Sequence, residues 1–148
     1  MTMAVTVIKD YESRRKLKEL HRQVLYRLCF SALVINCTKY VELCSKYSKV
    51  FNDEIPHLNK LRNQYQEEIK QRGIVAFRND YIGHIHSKKL NRPLTDQEVQ
   101  DKFLTIVGSS NVLEFLDWIC PDNLSTTDRT QSLVGVIEML RDALENKL

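Results

Sequence analysis

YESRRKLKELHRQVLYRLCFSALVINCTKYVELCSKYSKVF, residues 11–51, carries apolar side chains at helical spacing: Leu17, Leu20, Val24, Leu28 and Ile35, then Val41, Cys44 and Tyr47. A stripe recurring every three or four residues belongs to a helix with one side against a core. The spacing predicts one long helix or two nearly collinear ones, interrupted near Asn36–Thr38. Asn52-Asp53-Glu54 before Pro56 reads as a stop and restart, with Asp53 as a cap and Pro56 in the next first turn, where its missing amide proton costs little. A second helix uses Leu58, Leu61, Tyr65 and Ile69, and Gly73 is the expected end or bend. Arg78–Ser87 resumes a weaker helical pattern that Asn91-Arg92-Pro93 terminates.

Leu94-Thr95-Asp96-Gln97-Glu98 has the spacing of a capping box, Thr95 to Glu98, and opens a third stripe of Val99, Phe103, Ile106, Leu113, Leu116 and Ile119. An irregularity is expected at Gly108-Ser109-Ser110. After Pro121 and a polar run, a last helix of about residues 126–146 places Leu133, Ile137, Leu140 and Leu144 on one side. Four stripes of this kind can be covered only by one another. The expected fold is all-α, an up-and-down helical bundle of four major helices with an additional short or broken helix. Residues 1–10 read as a short N-terminal extension and 11–148 as a single helical domain.

Composition agrees. The 148 residues are 43% hydrophobic and 28% charged, with four Gly and three Pro, too few for a strand-and-turn architecture. Cys29, Cys37 and Cys44 lie too far apart along one helical pattern to form a disulfide, and no Cys/His cluster has zinc spacing, so reduced, buried thiols and no metal are expected. Met1–Ile8 lacks the pattern of a signal peptide, and no run approaches 18 consecutive apolar residues. A cytoplasmic protein with no membrane association is the expectation by elimination.

Charge is uneven. Between residues 70 and 92, Lys70, Arg72, Arg78, Lys88, Lys89 and Arg92 face only Asp80, whereas residues 93–148 are acidic overall. Such a distribution suits a local anion site better than a broad duplex-binding surface.

Chemistry concentrates in Phe77-Arg78-Asn79-Asp80-Tyr81-Ile82-Gly83-His84-Ile85-His86. Arginine offers phosphate a rigid fork of donors, and histidine exchanges protons near neutral pH. On an uninterrupted α-helix Arg78 and His84 would stand about 9 Å apart along the axis and about 120° around it, flanking one groove. Asp80 and His84 would share a face, so Asp80 either orients His84 or turns to solvent. Across a twofold axis, isologous packing would gather Arg78 and His84 of two subunits around one cleft. Tyr81 either packs or contacts a base. His21 and His57 have no comparable setting and read as surface or partly packed residues.

Arg78-Asn79 followed by His84 resembles the Arg-polar-(four to six residues)-His motif of the HEPN superfamily. The passage Gly73–His84 looks most like its abortive-infection AbiU2-type branch. The likeness is sharp over residues 73–86 and architectural over about 12–146. It implies an up-and-down bundle that dimerises through the motif region. It also implies metal-independent cleavage of single-stranded RNA without a cofactor, in a toxin-like or phage-defence effector for which an antitoxin would be a further partner. Carried over, Arg78 would bind the scissile phosphate, and Asn79 would hydrogen-bond it or hold its neighbours in place. His84 would move a proton at the 2′-hydroxyl or the leaving oxygen. His86 lies outside the usual spacing and reads as either an RNA-binding neighbour of the motif or a polar surface residue; Lys88 and Lys89 are expected to bind RNA. Two other accounts compete: a non-catalytic helical module binding nucleotide, RNA or a protein partner, and a purely structural bundle. No phosphate loop, dinucleotide fingerprint or nucleophile elbow is present.

Overall fold

The computed structural model describes residues 1–14, 19–82, 91–108, 112–123 and 127–147. Among them the chain is an all-α bundle. Its helices are α1 (Thr2–Arg14), α2 (Glu19–Lys46), α3 (Ser48–Glu54), α4 (Asn59–Gln71), α5 (Ile74–Phe77), α6 (Asp96–Val107), α7 (Val112–Ile119) and α8 (Leu133–Glu145). Single 3₁₀ turns lie at Pro56–Leu58 and Arg129–Gln131, and a π-helical turn at Arg78–Ile82.

The first two helices are not collinear. Tyr11 meets Tyr26 edge-on at 6.0 Å, and the Tyr26 hydroxyl donates to Glu12. On a straight helix, residues 15 apart would be separated by about 22 Å, so α1 is folded back along α2. Residues 1–10 are therefore not an extension: Ala4, Val5 and Ile8 are buried in the core. Lys9 adds a polar tie, donating to Asp117, Asp122 and the Cys120 carbonyl at the far end of α7.

α2 runs unbroken through Asn36–Thr38, against the sequence expectation. Asn36 Nδ2 donates to the Ala32 carbonyl at 2.7 Å and Thr38 Oγ1 to that of Val34 at 2.9 Å, so both polar side chains are satisfied along their own helix. The buried side of α2 is Phe30, Leu33, Val34, Cys37, Tyr40, Val41 and Cys44, whereas Val24, Leu28 and Tyr47 of the expected stripe are exposed. By length and composition Gln23–Lys46 could cross a membrane; here its apolar side is covered by α1, α4 and α5.

Other expectations hold in part. Leu58, Tyr65 and Ile69 are buried on the second stripe, Ile106, Leu116 and Ile119 on the third, and Leu133 and Leu140 on the last, while Leu113 and Ile137 are exposed. Asp53 caps nothing: the cap position before Pro56 is Ile55, with no side-chain bond, although Pro56 does occupy the first turn. Cys37, Cys44 and Cys120 are free and buried and Cys29 is free and half-buried. Burial pushes the Cys37 thiol up to about 12 and those of Cys29, Cys44 and Cys120 upward as well, which keeps them protonated and poorly nucleophilic.

The capping box of α6 forms as read. Glu98 N–H donates to Thr95 Oγ1, the Thr95 amide donates to Glu98 Oε2 at 2.8 Å, and Arg92 grips the same carboxylate with two 2.8 Å bonds. The Arg92 guanidinium first, and then the Thr95 amide, hold the Glu98 carboxyl at about 2. A depressed carboxyl stabilises the fold above its unfolded value, and that contribution is lost as pH falls through the folded one. The stability difference between the wild type and Glu98→Gln should therefore be complete above about pH 4.5 and vanish as pH approaches 2, measured by thermal unfolding across that range. Gly135 supplies a second test. A Cβ there would meet the Arg129 carbonyl oxygen at 2.3 Å, backbone against backbone. Gly135→Ala should lower stability by about 1–3 kcal/mol in denaturant unfolding.

Candidate functional site

The segment read as chemically active begins at a backbone reversal. Gly73 has φ +74°, a left-handed conformation that closes α4 and opens α5. α5 lasts four residues and sets Ile74 and Phe77 into the core. Phe77 lies 6.1 Å edge-on from Phe30, which in turn packs on Phe103 at 4.4 Å and Phe115 at 6.2 Å. Three helices thus fix the residue immediately before Arg78.

From Arg78 to Ile82 the backbone widens into a π-helical turn. The geometry of an uninterrupted α-helix, used as the reference for Arg78 and His84, does not apply through this turn. π-turns are costly insertions that occur mostly in single turns and frequently at functional sites. The turn is held at both ends: Phe77 is buried, and Tyr81 rests on Phe77 with centroids 5.2 Å apart.

Arg78 and Asn79 are brought together. Arg78 Nη1 donates to Asn79 Oδ1 at 3.0 Å, with Arg78 half-buried and Asn79 exposed. The bond engages the acceptor end of the carboxamide and does not use its NH₂ donors or the other guanidinium N–H groups. The pair therefore presents donors and one positive charge, a recognition surface for an oxyanion. Asp80 is not turned to solvent; its carboxylate receives Lys102 of α6 at 3.4 Å. His84, His86, Lys88 and Lys89 lie outside the described residues.

The surrounding basic cluster divides into separate tasks. Arg72 is structural: it grips Glu68 at 2.8 Å, donates to the Ile106 carbonyl, and lies 4.6 Å over Trp118. Lys70 is 3.9 Å from Glu67, and Arg92 serves the α6 cap. Among the described members, only Arg78 is directed to the polar segment itself.

Sequence spacing did not reveal the cavity beside this segment. It holds about 560 Å³ between α2, the π-turn and α6, with Phe30, Phe77 and Phe103 among its walls. Arg27 of α2 stands over the Tyr81 ring at 5.7 Å, and Gln100 of α6 also borders the space. Arg27 is 54 positions from Tyr81 in the chain; helical packing alone joins them.

No family model matches the chain, and no curated protein matches it. Among solved structures, the integron cassette protein Vpc_cass2, from the mobile metagenome of V. paracholerae, is 48% identical, with a TM-score of 0.83 over 97% of this chain and 86% of that one. The chain belongs to the same family as that integron cassette protein. In this chain the Arg78–Asn79 turn follows Phe77, which packs against Phe30 of α2. Truncating Phe30→Ala removes the contact of three aromatic neighbours and should cost about 3–5 kcal/mol. Denaturant unfolding would measure that loss, and the Tyr81 ring resonances should shift with it.

Proposed function

We propose that this chain is a metal-independent endoribonuclease cutting single-stranded RNA by 2′-hydroxyl transesterification, a HEPN-like effector of the toxin or phage-defence kind acting in the cytoplasm. The observation that carries this reading is the Arg78–Asn79 pair on the π-turn, whose side chains share one hydrogen bond, with Arg78 half-buried and Asn79 exposed. The relative's setting, an integron cassette in a mobile metagenome, suits an effector carried between genomes.

In this reaction the ribose 2′-oxygen attacks the adjacent phosphorus and the bond to the 5′-oxygen of the next nucleotide breaks. The 2′-hydroxyl proton passes to a base, and a proton is returned to the departing 5′-oxygen. The products are a 2′,3′-cyclic phosphate and a 5′-hydroxyl end. Arg78 binds the phosphate and takes up the growing charge, Asn79 donates to a non-bridging oxygen, and His84 serves one of the proton transfers. Fixed donors aimed at developing charge supply stabilisation that a bound cation would otherwise provide. DNA lacks the attacking hydroxyl and is not cut.

A homodimer through the motif region completes the proposal, bringing a second Arg78 and His84 to the cleft. Val24, Leu28 and Leu104 favour such packing: all are apolar and more than half exposed, and each borders the cavity or adjoins a residue that does. An antitoxin would protect the host by covering the same face.

The test incubates the full chain with labelled single-stranded RNA in excess EDTA. Cleavage to cyclic-phosphate ends is expected, with Arg78→Ala and His84→Ala each reducing the rate by about 10²-fold or more while the helical circular dichroism is unchanged. Sedimentation should show a dimer. Full activity in both variants, or cleavage only with added divalent metal, would refute the assignment. RNA bound without any product would make the chain a binding module instead.

A further inference from the structure

We infer that the cavity between α2, the π-turn and α6 is a guanine-binding subsite, which on the nuclease reading holds a base adjacent to the phosphate at Arg78. Four observations converge on a flat heterocycle. The space of about 560 Å³ lies within the range of small-molecule sites and has an aromatic floor, Phe30, Phe77 and Phe103. Tyr26 and Tyr81 line it from α2 and the π-turn, and the Tyr26 ring is held edge-on against Tyr11 at 6.0 Å. The Arg27 guanidinium covers one side of Tyr81, and a guanidinium plane is itself a platform for a base. Finally, Arg78 directly follows Phe77 and lies three residues before Tyr81, so a phosphate at Arg78 and a ring in the cavity are neighbours on one turn.

The polar rim chooses among bases. Asp96 and Gln100 line the space from α6 and Gln23 from α2. An ionised carboxylate only accepts hydrogen bonds. Guanine alone presents two adjacent donors, N1–H and the N2 amino group, that one carboxylate can receive together. Adenine and cytosine place a ring acceptor beside their amino donor, and uracil flanks its single donor with two acceptors. Carboxamides can donate to the O6 and N7 acceptors of guanine.

The experiment has two arms. In the first, GMP, AMP and UMP are titrated into the full chain and followed by calorimetry and by tyrosine ring resonances. GMP should bind about tenfold more tightly than UMP and shift the Tyr26 and Tyr81 signals; Tyr81→Ala should weaken it about tenfold. Asp96 is exposed, so Asp96→Asn leaves the fold intact, and it should remove the preference for GMP over AMP. Equal binding of the three nucleotides, or unchanged GMP affinity in both variants, overturns the subsite. The second arm measures cleavage of RNAs differing at one position beside a fixed bond. Preference for guanine at that position, relaxed by Asp96→Asn, supports the inference within RNA. Cleavage indifferent to base and to Asp96→Asn overturns it while the nuclease reading stands. Selective GMP binding without any RNA cleavage sustains the subsite and removes the nuclease reading.

Discussion

Between Phe30 and Cys44, α2 buries seven apolar side chains, and α1, α4, α5 and the π-turn are all laid against that helix. Each large apolar side chain withdrawn from water there contributes about 1.5–3 kcal/mol, more than any exposed ion pair in the molecule supplies. The remaining helices have no comparable common surface. α4 touches α8 over a short stretch and reaches the 3₁₀ turn before it through Tyr65, whose hydroxyl donates to the Thr130 carbonyl at 2.9 Å, and α1 joins α7 through a few contacts and Lys9. The placement of α1, α4, α5 and the π-turn follows from how each docks on α2.

That dependence explains which parts of the fold were legible. The shorter helices carry a single apolar side, so the spacing of Leu58, Tyr65 and Ile69, or of Leu116 and Ile119, pointed to the residues that are buried. α2 is apolar on several sides at once. Val24, Leu28 and Leu43 are exposed on it while Phe30, Leu33 and Val34 are buried, so the stripe read from spacing through Val24, Leu28 and Tyr47 was partly the wrong one. The same feature concealed that α1 packs back against α2, as the contacts of Tyr11 and Glu12 with Tyr26 show. Asn36 and Thr38 misled for a different reason. Polar side chains mid-helix signal a break only when their hydrogen bonds are sought elsewhere, and these two are satisfied four residues back.

The candidate site was legible to the extent that its groups are neighbours in sequence. Arg78 and Asn79 are adjacent and interact. The basic surplus around them was less informative than its count suggested, because formal charge does not distinguish a cation offered to a ligand from one already committed. Arg72, stacked on Trp118 and bonded to Glu68, is committed, as is Arg92 at the α6 cap. Lys102 and Arg27, which bear on Asp80 and Tyr81, lie on other helices and follow no spacing rule relative to the motif.

The π-turn gives this arrangement its mechanical sense. A widened turn in isolation would relax toward the α-helix, recovering better hydrogen-bond geometry. Here relaxation would rotate either Phe77 out of its contact with Phe30 or Tyr81 off Phe77 and out from under Arg27. It would also draw Asp80 from Lys102. Aromatic contacts of this type are worth about 0.5–1.5 kcal/mol each beyond their burial, comparable to the cost of a locally strained backbone. Contacts on α2 and α6 therefore hold open a turn that local preference would close. Arg78 and Asn79, which make none of these restraining contacts, are left as the part of the turn free to meet a ligand. Rigid support beneath an outward pair of donors is the condition under which hydrogen bonds stabilise charge without reorganising to do so.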